Sequence, residues 1–293
     1  MANLPKKKNV RRHKMKHNRT ENKTPQENTT SRRDFLKLVG GLAAAVGLTQ
    51  FISLNSLASP LEASGEDHEN GVKWGMLIDI NKCIGCNYCT YACQAVNNLA
   101  DDMRYNVVTT ETTQNGTEYF LSRPCMQCAE APCVHVCPVA ATYYREDGIV
   151  AMDYDRCIGC RYCQVACPYD ARVFNWREPI EKSELSPMFG VQEVPNRQRG
   201  VVEKCHFCSH RIDDGLARQL TPGVDPQATP ACVVACPTGA RVFGDLNDPN
   251  SPISKAREAA RVTLRLREEL STEPRVYYIP PDSAYKPPFQ KGE

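Results

Sequence analysis

The chain has 293 residues, 41% of them hydrophobic, with 36 Lys/Arg against 34 Asp/Glu and sixteen cysteines. That length and apolar content can bury a core without covalent help, which excludes the small disulfide scaffold as a class. Residues 1–58 hold twelve of the basic and three of the acidic residues, so the remainder carries 24 against 31, a net −7 where the whole chain has +2; such a surface excludes nucleic acid as the expected partner.

Residues 1–30 are polar and basic with no apolar periodicity and read as a disordered leader. Ser31-Arg32-Arg33-Asp34-Phe35-Leu36-Lys37 follows and resembles a twin-arginine export signal, matching it at both arginines, the Phe-Leu pair and the lysine. A Gly/Ala-rich stretch from Leu38 to Leu57 ends in Ser56-Leu57-Ala58, a small-x-small cleavage site. The stretch is long enough for a retained membrane anchor, but Thr49, Gln50, Ser53 and Asn55 make it a poor span, so 1–58 is expected to be a leader and cleaved signal peptide. No later segment has the apolar length of a transmembrane helix.

From residue 72 the sequence predicts short strands, cysteine loops and short helices. A strand over Met76–Ile80 leads into Cys83, Cys86, Cys89 and Cys93, spaced Cys-x2-Cys-x2-Cys-x3-Cys. Val107–Thr113 and Thr117–Leu121 flank Asn115-Gly116, which predicts a hairpin standing out as a surface insertion. The second set, Cys125, Cys128, Cys133 and Cys137, widens the middle gap to four residues. A strand over Ile149–Met152 precedes Cys157, Cys160, Cys163 and Cys167, which return to the first spacing. Residues 178–200, with Pro179, Pro187 and Pro195, predict a long loop. Residues 209–231 predict another, inside the fourth set of Cys205, Cys208, Cys232 and Cys236; such loops serve docking or simply cover surface. Ser251-Pro252 opens a helix predicted to reach Leu270, packed through Ala256, Ala260 and Leu264. Arg275–Ile279 predicts an edge strand, and 280–293 a tail or partner-binding arm.

The spacing has a chemical reason. Three thiols at successive two-residue steps lie on one tight loop and converge on three corners of a cube. The fourth starts a helix turn and points toward a second cube, so in two-cluster ferredoxins the sets work in pairs. Proline follows Cys137, Cys167 and Cys236, where it turns the chain away from helix; Cys93 is followed by Gln94 instead. Soft thiolates at this density call for a soft metal. Zinc takes cysteine pairs, but explains neither the third cysteine at the same step nor the proline. Four [4Fe–4S] clusters held by all sixteen cysteines are therefore expected.

Internal repetition supports that reading. Asp79-Ile80-Asn81-Lys82-Cys83-Ile84-Gly85-Cys86 returns 74 residues later from Asp153 to Cys160, and Cys167–Phe174 returns as Cys236–Phe243. Ile84, Ile158 and Val165 are expected to shield the cubes from water, since burial and hydrogen bonds to sulfur set cluster potentials. Tyr88 and Trp176 are assigned the same role. His135, His206 and His210 read as lining residues, and Lys204 and Arg161 stand where a positive charge would raise a nearby potential. No nucleophile–base pair or phosphate loop is evident, so no catalytic residue is expected.

Four sets in this order, with a widened second and a split fourth, resemble the iron–sulfur subunits of molybdopterin oxidoreductase complexes across residues 72–250. Relatives of that kind serve tetrathionate, polysulfide and dimethyl sulfoxide reductases, formate dehydrogenase and nitrite reduction. The resemblance implies an α+β fold of tandem, interleaved bacterial ferredoxin-like 2[4Fe–4S] modules with loop insertions. An inner module would span about 123–178 and an outer one about 72–98 plus 201–250, followed by the C-terminal helix and tail, 251–293. It implies that set one pairs with set four and set two with set three. Cys83, Cys86, Cys89 and Cys236 would then hold cluster 1, and Cys205, Cys208, Cys232 and Cys93 cluster 2. Cys125, Cys128, Cys133 and Cys167 would hold cluster 3, and Cys157, Cys160, Cys163 and Cys137 cluster 4. It also implies a molybdopterin catalytic subunit and an integral-membrane quinone-interacting subunit. The chain would relay electrons between them on the periplasmic face of the cytoplasmic membrane, held there by its partners. Two other classes stand beside this reading: a catalytic iron–sulfur oxidoreductase in its own right, and a structural zinc protein.

Overall fold

Trp74-Gly75-Met76-Leu77-Ile78-Asp79 is apolar almost throughout, and a strand of that kind belongs where both faces are covered. In the computed structural model, which describes residues 71–282, it is β1 (Trp74–Asp79), the middle strand of a three-stranded sheet. The expected 1–58 leader with Arg32 and Arg33, and the residues from 283, lie outside the described residues. On one side β8 (Arg241–Asp245) pairs antiparallel with β1, Trp74 opposite Asp245 and Ile78 opposite Arg241. On the other, β9 (Val276–Ile279) pairs parallel, with Met76 opposite Val276. It is the edge strand that the sequence predicts. Trp74 stacks on Phe243 at 5.6 Å between ring centres, and Phe207 meets Phe243 edge-on at 5.3 Å.

Three two-stranded ladders complete the strands: β2 (Val107–Thr112) with β3 (Glu118–Arg123), β4 (Thr142–Tyr144) with β5 (Val150–Met152), and β6 (Arg172–Phe174) with β7 (Val202–Lys204). Between them lie the short helices α1 (Tyr88–Val96), α2 (Pro132–His135), α3 (Tyr162–Ala166), α4 (Ser209–Ala217) and α5 (Ala231–Val234). The fold is α+β. Among the described residues no helix is long and apolar enough to cross a membrane.

Three expectations need correction. The helix opened by Ser251 and Pro252, α6, spans only Pro252–Ala259, although its cap is as predicted, the Ser251 side chain accepting from Ser254 N. Ala260 turns to an extended conformation, and Leu264 then bridges Tyr278 in β9, so backbone pairing with the sheet replaces further helix. Ile253, not Ala256, is its fully buried residue. Residues 209–231 are not a loop throughout, because they contain α4, anchored by the fully buried Ile212. Gly215 lets this helix lie against Ala228, whose Cβ stands 2.3 Å from where a Gly215 Cβ would be.

The 178–200 segment does lack helix and strand, yet it is strapped down. Glu193 N donates to Val96 O at 2.9 Å, and Arg211 Nε donates to the Glu193 carboxylate at 2.9 Å. Arg197 donates to Asn97 O at 2.8 Å and lies 3.7 Å from the buried Glu203 carboxylate. Truncating the side chain that seats α4, Ile212→Ala, is expected to cost about 2–5 kcal/mol. The check is a lower denaturant midpoint with an unchanged slope.

Candidate metal centre

Each Cys-Ile-Gly-Cys loop is launched by an aspartate. Asp79 accepts from Asn81 N at 3.0 Å, and its repeat partner Asp153 accepts from Asp155 N at 3.0 Å and Arg156 N at 3.1 Å. The glycines then take the left-handed region, φ +71° at Gly85 and +67° at Gly159. Space demands glycine as well. A Cβ on Gly85 would stand 2.6 Å from the Phe120 ring, and one on Gly159 2.1 Å from the Gly200 carbonyl oxygen. Asn87 and Arg161, also left-handed, cap α1 and α3 and curl each loop so that its third cysteine rides on the first helical turn.

The result is four groups of thiols. One cavity is lined by Cys83, Cys86 and Cys89 together with Cys236 of the fourth set. Another is lined by Cys157, Cys160 and Cys163 together with Cys137 of the second. Cys93, a turn beyond Cys89, points away from its own set into the charges of Cys208, Cys205 and Cys232. Cys128 lies among Cys125, Cys133 and Cys167. Across groups, Cys232 feels Cys89, Cys205 feels Cys125, and Cys163 feels Cys133, so each group has another within electrostatic reach.

All sixteen are free thiols. Among the described residues no three His, Cys, Asp or Glu side chains close around a point as a single-ion site requires. Burial pushes the Cys208 thiol up to about 12, with the Cys232 charge adding to it. Burial and neighbouring thiolates also raise Cys93, Cys128 and Cys205. Burial works the same way on Cys137 and Cys236, but donors aimed at their sulfurs outweigh it and their pKa values fall below the usual thiol range. These donors include Thr142 and Ala141 N for Cys137, and Thr238 and Ala240 N for Cys236. Such groups ionise together only when a strong cationic charge joins them, as in a thiolate-held iron–sulfur centre. Side chains are poised for charged sulfur as well: Asn106 Nδ2 donates to Cys89 Sγ at 3.3 Å, Asn97 Nδ2 to Cys93 Sγ at 3.5 Å, and Arg241 Nη1 to Cys232 Sγ at 3.3 Å.

Several sequence-based roles change. Ile84 and Ile158 line the two cysteine cavities as expected, although more than half of each stays exposed, 59% and 65%; Val165, 87% exposed, lines neither. Trp176 and Tyr88 are likewise exposed, and shielding falls to Met76, Met126, Val202 and Phe207. The β2–β3 hairpin is a wall rather than a decoration, with Val108 and Ser122 lining the first cavity and Phe120 against Gly85. None of the three histidines lines either cysteine cavity. His206 is held well below its usual pKa by burial and by Arg197 and Lys204, while His210 pairs with Glu193 at 3.0 Å. Lys204 is buried, donating to Val150 O and to Cys205 O; Arg161 lies at the surface over the Phe174 and Trp176 rings. Asn97, Asn106 and Ser122 were not legible as functional, since isolated amides and hydroxyls carry no spacing signal.

The 4Fe-4S dicluster domain family matches residues 116–186. The chain is 40% identical to a subunit of the selenate reductase of Mesobacillus selenatarsenatis, over 85% of this chain and 97% of that one. It is 42% identical to the iron-sulfur cluster-binding subunit of menaquinone reductase from Nitratidesulfovibrio vulgaris, over 71% and 89%. It is 36% identical to a subunit of the tetrathionate reductase of Salmonella typhimurium, over 89% and 92%. The chain belongs to the iron–sulfur electron-transfer subunits of oxidoreductase complexes. Members of this family are components of a larger oxidoreductase rather than enzymes alone, and the ferredoxin-like α+β fold suits that role.

For such a protein the loop glycines should govern cluster retention. Gly159→Ala, which drives a Cβ into a fixed carbonyl, is expected to lower iron and sulfide content. Gly116→Ala, in the hairpin turn with nothing within 4 Å, is expected to retain both. Colorimetric iron and sulfide assays on the anaerobically purified protein check the contrast.

Proposed function

We propose that this chain relays single electrons through four [4Fe–4S] clusters between a quinone-interacting subunit in the membrane and a molybdopterin catalytic subunit. The observation that carries the reading is the gathering of sixteen thiols into groups of four, with neighbouring groups close enough to feel one another's charge. Cluster 1 is assigned to Cys83, Cys86, Cys89 and Cys236, and cluster 2 to Cys205, Cys208, Cys232 and Cys93. Cluster 3 is assigned to Cys125, Cys128, Cys133 and Cys167, and cluster 4 to Cys157, Cys160, Cys163 and Cys137. The bound cubes supply reversible one-electron chemistry. The chain's part is to hold them close, keep water out and direct hydrogen bonds at their sulfurs.

Two modules are proposed, an inner one over about 123–178 and an outer one over about 72–98 plus 201–250. The β1–β8 pairing supports the outer module, β4–β5 lies within the inner, and β6–β7 stitches the two together. A relay needs an exit at each end of its row. Cys160 is the exposed cysteine, and Ile158, Tyr162, Val165 and Trp176 form an exposed apolar rim in that region; at the other end Ile84 and Tyr88 flank Cys86. Exposed apolar groups around a charge-bearing centre support docking of a partner at each end. The menaquinone named for one relative supports the quinone assignment. The Ser31–Lys37 signal supports export to the periplasmic face, with attachment to the membrane through partners.

Anaerobic protein from cells competent in cluster assembly should contain about sixteen iron and sixteen sulfide per chain, four of each per cluster. Zinc, or an iron content short of four clusters, would overturn the assignment. Val165→Lys should leave the iron content unchanged while the membrane subunit no longer copurifies. Undiminished copurification would remove docking from that end of the row.

A further inference from the structure

The repeat that carries the last cysteines of the third and fourth sets also carries an arginine that cluster ligation does not use. Ala171-Arg172-Val173-Phe174 and Ala240-Arg241-Val242-Phe243 occupy the same place after Cys167 and Cys236. Each arginine opens a strand, β6 and β8, and each is buried, 2% and 4% exposed. Arg241 Nη1 donates to Cys232 Sγ at 3.3 Å, and Nη2 reaches Asn106 Oδ1 and Ser122 Oγ. Asn106 in turn donates to Cys89 Sγ. The thiolates whose charges Arg241 feels are Cys232 of the second group and Cys89 and Cys236 of the first.

Arg172 repeats the arrangement in the other pair. Its thiolate neighbours are Cys133 and Cys125 of the third group and Cys163 of the fourth. Nη1 donates to Thr142 Oγ1 at 3.1 Å, while Nη2 is buried without a hydrogen-bond partner. Among the described residues neither guanidinium pairs with a carboxylate; the neighbours able to carry negative charge are cysteine sulfurs, and Arg241 also faces the Tyr278 phenol. Arg172 also stands opposite the buried Lys204 in the β6–β7 ladder, so two basic side chains share this dry region.

Arginine keeps its proton in any protein environment, so each of these is a fixed positive charge. A four-thiolate cluster gains one negative charge on reduction, and a cation held against its ligands favours that state. Placed between two clusters, one cation acts on both, and it also offsets the repulsion that each reduced cluster exerts on the other.

We propose that Arg241 and Arg172 are positioning residues for charge, one to each cluster pair, holding the reduction potentials of clusters 1 and 2 and of clusters 3 and 4 above the values the thiolates alone would set. This rests on the four-cluster reading, and the test separates the two. The full chain in its complex, loaded with iron, is titrated anaerobically against potential and followed by electron paramagnetic resonance, with iron counted in parallel. Arg241→Gln is expected to lower two of the four midpoints by about tenfold in the one-electron equilibrium, about 59 mV. Arg172→Gln is expected to lower the other two, and Lys at either position to restore most of the shift. Full iron with unmoved midpoints overturns the arginine role alone, as does a Lys variant shifted as far as its Gln counterpart. If a Gln variant sheds iron, a Lys variant that keeps it at parental midpoints supports the role, and one that loses it equally overturns it. A parent protein short of four clusters' iron counts against the reading beneath.

Discussion

Four thiols gathered in a dry space resist ionising together, since each negative charge raises the cost of the next. Cys93 shows the constraint at its strongest, buried and facing Cys208, Cys205 and Cys232. The structure relieves it at three ranges. Backbone N–H groups reach sulfur directly, Ala141 to Cys137 at 3.2 Å and Phe207 to Cys205 at 3.4 Å. Side-chain amides do so at Asn97 and Asn106. Behind them stand the guanidinium charges of Arg241 and Arg172, which a core without anionic partners would not tolerate.

The proline after a fourth cysteine belongs to the same solution. At Cys137-Pro138, Cys167-Pro168 and Cys236-Pro237 the preceding short helix has ended, and the residue three places after each cysteine is left-handed: Ala140 at φ +50°, Asp170 at +52° and Gly239 at +64°. The turn brings successive N–H groups round to the sulfur, a small anion-binding concavity. Cys137 and Cys236 are the cysteines whose pKa values fall with such donors, whereas at Cys167 deeper burial and the Cys125 charge outweigh them. Cys93 lacks the proline, and α1 runs on through Gln94 to Val96. Its sulfur takes the Asn97 amide instead, one helical turn away. Gln94, no longer part of a sulfur-binding turn, ties α1 to the following loop through Met103 O at 3.1 Å. A one-residue departure from the repeated pattern thus changes which kind of donor serves that thiolate.

Ligand spacing was legible because it is local chemistry: a tight loop needs its glycine and its cysteines within a few residues, and Gly85 and Gly159 declare both. The sheet was legible at β1 and β9, whose apolar runs allow little else. Helix α4 was not, because only Ile212 and Gly215 of its nine residues are buried, and Cys208, left-handed, stands where a Ser or Asp cap would have announced it. The premature end of α6 was hidden for the opposite reason. Leu264 fits the helical period of Ala256 and Ala260, yet it is drawn to the free edge of β9. Val165 was misplaced because apolar character marks a surface to be covered without saying whether the chain itself or another polypeptide covers it.

The repeated Ala-Arg-Val-Phe segments join these threads. In each, the strand that starts at the arginine is held by a ladder, β8 to β1 and β6 to β7. Ladder bonds fix where the guanidinium begins, and burial leaves it few other rotamers. A charge that must be taken up and released in a low-dielectric interior is best served by dipoles and cations already in place, since nothing then has to reorient as it passes. The same backbone pairing that completes the sheet beside the first thiol group delivers a fixed cation to the gap between that group and the next. The β6–β7 pairing does so in the other half, and there it also brings Lys204 within reach of Cys125 and Cys205, the junction of the second and third groups. Each of these junctions between thiol groups therefore contains a buried basic side chain set by a strand, so sheet register fixes where those side chains begin.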